Sequence, residues 1–183
     1  MNSKPVSTDA TGAFNLTGFY TCPSPSSNVY IVATGGNPGL AGNQNNPALA
    51  LMVALGHCGD LTSSTFVSIN EVTTVAAVYA LAPYMHSYAS VNSGAVDSDF
   101  TVARELADSS SGETPGTAAT GLDVPATKLR TLANVVASCV NSNGTNGVCR
   151  QMFALSTYSD GPAPTDTIAA LLEIAKNPTQ NVA

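Results

Sequence analysis

Basic residues are scarce. Lys4, Arg104, Lys128, Arg130, Arg150 and Lys176 are the only six in 183 residues, and they are scattered. No basic stripe exists to neutralise phosphates, which argues against nucleic acid as a partner. The same scarcity argues against anionic membrane surfaces. Charged residues of both signs make up only 10% of the chain, against about 25% in an ordinary soluble domain. Ser, Thr, Asn and Gly replace the Lys/Glu-rich faces usual in cytosolic helical proteins, which points to an exported protein. No apolar run approaches the ~20 residues needed to span a bilayer. The longest, residues 48–55, has the length of a strand. No signal peptide precedes Asn2, and the opening segment reads as a cut made inside a longer chain.

Catalytic and cofactor signatures are also missing. There is no C-x-x-C pair and no zinc-finger spacing of Cys and His. There is no G-x-S-x-G elbow. Gly35-Gly36-Asn37-Pro38-Gly39 lacks the Lys and Ser/Thr of a phosphate loop and reads as a turn. No cofactor is expected.

The chain has enough hydrophobic residues, 44%, to fill one core. Its four cysteines, Cys22, Cys58, Cys139 and Cys149, are even in number and widely spaced, which suggests two disulfides. Three pairings can be drawn. The favoured one joins Cys139 to Cys149 across the Gly/Asn-rich residues 141–147, leaving Cys22 for Cys58. Closing a loop of that size restricts the unfolded chain by about 2–3 kcal/mol.

Turn signals and short strands dominate the first half. Residues 13–16 alternate after a turn at 9–12, residues 29–33 form a β-branched and aromatic run, and 48–55 and 66–69 also predict strands. From Asn70 the spacing turns helical. Asn70 caps a helix carrying Val72, Val75, Ala76, Tyr79 and Ala80, which Pro83 is expected to kink or end. Further helices are expected over 100–108, 125–140 and 149–157, and over a last one capped by Thr165 and closed by Lys176 and Asn177-Pro178. The Ser/Thr/Gly-rich residues 109–121 predict a mobile linker. Strands first and helices after is the α+β order. The expected architecture is a single domain over 1–183: a small antiparallel, partly Ig-like N-terminal sheet over 1–70, packed with a helical bundle over 71–183.

Few residues offer chemistry. A Ser–His–acid hydrolase would need His57 or His86, the only histidines, with Ser87, Asp60 or Glu71 as weak partners. A metal site would draw on His57 and His86 with Asp60 or Glu71, or on Asp97 and Asp99. Asp97-Ser98-Asp99 lacks the rest of a calcium loop and reads as a helix N-terminus. Tyr30, Asn43, Asn45 and Asn46 are placed to meet sugar hydroxyls.

Thr8-Asp9-Ala10-Thr11-Gly12-Ala13-Phe14-Asn15-Leu16-Thr17-Gly18 resembles the carboxypeptidase-regulatory-like (Ig-like) strand pair of secreted bacterial proteins. With Tyr30-Ile31-Val32-Ala33-Thr34-Gly35-Gly36-Asn37-Pro38-Gly39, Phe66-Val67-Ser68-Ile69-Asn70-Glu71-Val72-Thr73-Thr74-Val75-Ala76 and Ile174-Ala175-Lys176-Asn177-Pro178, the chain resembles a module of large surface proteins of environmental bacteria. Such proteins often carry NHL-type propeller repeats. The resemblance implies export, modular architecture, and adhesion or carbohydrate contact, with no catalytic residues. His57 and His86 depart from it. It also implies that the first Ig-like strands are missing, leaving an open sheet edge that helices cover or a second copy pairs. The leading expectation is therefore a non-catalytic interaction module, secreted or at the cell surface, meeting carbohydrate or a protein. The alternatives are a small ester or glycoside hydrolase and a metal-binding domain.

Overall fold

The computed structural model describes residues 2–92, 94–145, 147–158 and 161–179. Its centre is one antiparallel ribbon. Strand β3 (Asn28–Thr34) pairs with β4 (Ala50–His57), Ile31 opposite Val53 and Ala33 opposite Leu51. Both strands carry the branched and aromatic side chains that suit a pleated surface. A bulge between Val29 and Tyr30 offsets the pairing there, and Gly56 takes the left-handed φ of +87° that this irregularity requires. Short ribbons flank the centre: β1 (Asn2–Ser3) with β2 (Tyr20–Thr21), and β5 (Met85–Ser87) with β6 (Ser90–Val91).

Five α-helices follow β4 among the described residues. They are α1 (Glu71–Leu81), α2 (Asp97–Leu106), α3 (Ala126–Val140), α4 (Gly147–Ser156) and α5 (Thr167–Lys176). The fold is a mixed α+β domain, as the order of sequence signals implies. The β5–β6 ribbon is a strand pair inside the otherwise helical second half.

Helix α1 lies at the middle of the bundle. Asn70 caps it, its side chain accepting from Thr73 N–H at 3.0 Å while the Thr73 hydroxyl accepts from Asn70 N–H at 3.0 Å. It is buried almost all round, from Thr73 to Val78 and at Leu81, as a helix enclosed by others must be. On α3, Leu129, Val136 and Cys139 face inward with the half-buried Leu132. Asp166, one residue beyond the expected Thr165, caps α5 by accepting from Ala169 N–H at 2.8 Å. The Lys176 ammonium in the last turn of α5 donates to the Met85 carbonyl at 2.6 Å and ties β5 to the bundle.

The ribbon packs on both faces, closely on one and in part on the other. Tyr30, Val32, Ala50, Met52 and Ala54 pack against the helices. Val29, Ile31, Val53 and Leu55 form a second, smaller cluster with Tyr20, Leu61, Val67 and the Cys22–Cys58 disulfide. The other disulfide joins Cys139 to Cys149, linking α3 to α4. Both pairings agree with the favoured reading of the sequence.

The outer edge of β4 is closed by side chains instead of by a third strand. The Thr167 hydroxyl accepts from Ala50 N–H at 3.0 Å and donates to the Ala50 carbonyl. Thr167 N–H reaches the Ala48 carbonyl at 3.0 Å. One turn of the strand further on, the Thr74 hydroxyl accepts from Met52 N–H at 2.9 Å. These buried backbone groups would otherwise lack partners.

Three expectations are corrected. Residues 13–16 and 66–69 are not strands. Both run as irregular segments over the second face of the ribbon, where Val67 and Ile69 find apolar contact without a ladder. The segment expected to be mobile, 109–121, is instead tied down. The Asp108 carboxylate accepts from Ser110 N–H, the Ser110 hydroxyl, Ser111 N–H and the Thr117 hydroxyl. Asn70 Nδ2 donates to the Gly112 carbonyl at 3.0 Å, and Arg130 donates to the Thr114 carbonyl at 2.6 Å. Small residues here permit close packing: a Cβ at Gly116 would lie 1.8 Å from the Arg104 carbonyl oxygen.

Candidate functional site

The second face of the ribbon is only partly covered, and the space left is a groove of about 780 Å³. Its floor is Ile31 and Ala33 from β3 and Leu51 and Leu55 from β4, with Leu49 just before β4. These residues alternate along their strands and so share one face. Residues 11–17 and 61–69 form its walls, and Gly35, Gly36 and Asn141 lie toward one end.

Among the described residues no Asp, Glu, Lys, Arg or His lines this groove. Its polar groups are hydroxyls and amides. Asn15 Oδ1 accepts from Thr17 N–H at 2.7 Å, holding the wall in a turn and leaving the amide nitrogen free. The Ser63 and Ser68 hydroxyls have no hydrogen-bond partner among the described residues. The aromatic rings are Phe14, Tyr20 and Phe66. Phe66 is 74% exposed, far more than a ring that merely fills a core. Sequence reasoning placed Phe66 inside a strand and missed it, because periodicity alone does not distinguish a strand from an extended wall.

The residues singled out for chemistry lie elsewhere. His57, at the end of β4, pairs through Nε2 with Asp97 Oδ1 at 3.1 Å. Asn28 Nδ2 donates to the same oxygen at 2.7 Å. The Asn28 and His57 hydrogen bonds hold the exposed Asp97 carboxyl below its ordinary value. This cluster joins the ribbon to the start of α2. Asp99 accepts from Val96 N–H at 2.8 Å and closes the N-terminus of α2, which is the helix-start role. His86 is exposed on β5. The neighbouring Ser87 hydroxyl accepts from Ala89 N–H at 3.2 Å, a local turn contact. Asp60 ends a 3-10 turn after Cys58, and Glu71 opens α1. Of the metal candidates the structure therefore brings His57 to Asp97. Among the described residues no group of three or more His, Cys, Asp or Glu side chains converges.

Two residues considered for sugar contact are already engaged. Asn46 is fully buried; its Nδ2 donates to the Cys139 and Val140 carbonyls at 2.8 and 3.1 Å, and its Oδ1 accepts from Ala48 N–H. It caps the C-terminus of α3. Tyr30 is half-buried: burial raises its pKa, and the Val91 backbone beside its hydroxyl lowers it in part. Asn43 adopts a left-handed φ of 53° in the loop before β4, and Asn45 is exposed there.

Among the described residues no helix is long and apolar enough to cross a membrane. No family model, curated protein or solved structure matches this chain.

Proposed function

We propose that the chain is a non-catalytic interaction module of an exported bacterial surface protein, and that its groove takes an uncharged, polyhydroxylated ligand, an oligosaccharide. The observation that carries this reading is a groove of about 780 Å³ lined, among the described residues, by no charged or imidazole side chain. Acid–base and nucleophilic chemistry both need such groups within reach of the substrate. A neutral ligand needs instead apolar ring faces beside hydroxyls and amides. Phe66 and Phe14 supply the faces; Asn15 and Ser63 supply polar contacts. Two disulfides and a surface poor in charge support export. The resemblance to modular surface proteins points the same way.

The test is calorimetric titration with a panel of neutral oligosaccharides, beside Phe66→Ala. Saturable binding that weakens at least about tenfold in the variant supports the reading; silence across neutral sugars removes it. A chromogenic ester and glycoside screen runs in parallel with a His57→Ala/His86→Ala double variant. Turnover abolished by that pair of changes would replace the binding reading with the hydrolase one.

A further inference from the structure

The two edges of the central ribbon are treated in opposite ways. On β4, the N–H groups of Ala50 and Met52 turn outward to the Thr167 and Thr74 hydroxyls. Alternation then turns Leu51 and Val53 toward β3, where they face Ala33 and Ile31. The hydrogen bond from Gly35 N–H to the Leu49 carbonyl, 2.8 Å, continues this phase. On β3 the alternate residues Tyr30, Val32 and Thr34 therefore send their N–H and C=O groups away from β4. No described residue pairs with those backbone groups.

That edge is also unprotected. Strand edges that must stay single are normally guarded by lysine, proline, inward charge or a covering element. The sequence of β3, Asn-Val-Tyr-Ile-Val-Ala-Thr, has none of these side chains. The molecule closes one edge with two threonines and leaves the other bare.

We infer that β3 pairs antiparallel with β3 of a second copy of this chain. The bare edge offers alternating donors and acceptors, and a two-fold axis through Val32 matches them to themselves. Val32 then faces its own counterpart, and Tyr30 faces Thr34 of the other copy. Each of the three residues donates and accepts once, and no like charges meet, because the strand carries none. The product is a four-stranded sheet, β4–β3–β3–β4. Antiparallel strands related by an axis normal to the sheet keep the same face up, so Ile31 and Ala33 of both copies continue one groove floor. An interface with this symmetry closes on itself and does not propagate.

Sedimentation from micromolar to several hundred micromolar, with residue-resolved amide exchange, tests this. The expected result is a particle of twice 18.5 kDa. The Tyr30, Val32 and Thr34 amides should be protected at high concentration and lose protection on dilution, while Ile31 and Ala33 stay protected. Thr34→Pro deletes an outward N–H in each copy, and Thr34→Lys places an edge charge at an exposed position. Each should weaken association at least about tenfold with an unchanged circular dichroism spectrum. Thr34→Lys decides the matter if the proline variant fails to fold. A monomer at the highest concentration overturns the inference. So does a dimer indifferent to Thr34→Lys, or one whose three edge amides exchange alike at all concentrations. Sugar binding by a monomer would leave the groove reading standing while this one falls.

Discussion

The Thr74 hydroxyl lies between two backbones: it accepts from Met52 N–H at 2.9 Å and donates to the Asn70 carbonyl, 2.6 Å away in its own helix. Both Thr74 and Met52 are fully buried. With Thr167, which does the same for Ala50, it satisfies the outer edge of β4. Thr74→Val and Thr167→Val keep shape and remove the hydroxyl. Each strands buried backbone groups and should cost about 1–3 kcal/mol. Urea denaturation measures this; a loss below 0.5 kcal/mol (a rough threshold, within the scatter of surface changes) in both variants would show the edge to be satisfied otherwise.

Asn46 should be the most sensitive polar residue in the chain. It links the loop before β4 to the last carbonyls of α3 through two buried hydrogen bonds, and a third, accepted from Ala48 N–H, holds the loop itself. Asn46→Ala is expected to destabilise by about 3 kcal/mol. Asn46→Asp should do no better, since a carboxylate would face two carbonyl oxygens at a helix C-terminus. Gly144→Ala should also fail, because its Cβ would lie 2.4 Å from Asn46 Oδ1. Thermal melts of the three variants, compared with Asn143→Ala nearby as a control, check the ranking.

Asp108 sets an acid limit. Four donors around its carboxylate, led by the Ser110 and Thr117 hydroxyls, hold its pKa far below the usual range. A carboxyl depressed in the folded state stabilises fully above its unfolded pKa, about 3.9. That contribution is lost as pH falls below this value toward the folded pKa. Asp108→Asn should therefore lower the melting temperature at pH 7, and the gap from wild type should narrow toward pH 2. An equal gap at both pH values would mean that the charge is irrelevant to how the segment is held.

Asp166 has the opposite sign. Burial raises its pKa, although it accepts Ala169 N–H as the cap of α5. Between the unfolded and folded pKa values the native state binds more protons, so this group costs stability as pH rises. Asp166→Asn keeps a capping oxygen and removes the charge; it should be neutral or stabilising at pH 7. Asp166→Ala loses the cap and should cost about 1 kcal/mol. Asparagine behaving like alanine at neutral pH would sink this account.

Much of the bundle was legible in the sequence because helices announce themselves locally. Asn70, Pro83 and the 129/132/136/139 stripe act within a few residues of where they stand. The disulfides were legible from spacing and turn context. What failed was long-range. Residues 13–16 and 66–69 have strand composition, but each lacks a neighbouring ladder, and only tertiary pairing decides that. Residues 109–121 look like a linker by composition, yet one carboxylate, Asp108, organises a chain rich in hydroxyl donors. The groove was invisible for the same reason: its floor and walls come from five separated segments. Neutral Phe, Ser and Asn side chains form no motif. His57 and His86 drew attention as rare residues, but the structure joins His57 only to a strand end and a helix start.

The closing of β4 by Thr167 has a consequence for biosynthesis. The two partners lie 117 residues apart. A growing chain that has released β3, β4 and α1 holds a ribbon whose β4 edge is met at Met52 by Thr74 but stays open at Ala50 until α5 has emerged. Local helices can form on the way, but the sheet cannot be sealed before then. Folding of this kind is slow to commit and depends on late contacts. Chains stalled before residue 167 should be protease-sensitive across residues 48–57, and chains that include α5 resistant there. Helix α5, far along the chain from the ribbon, is the element that locks its central strand.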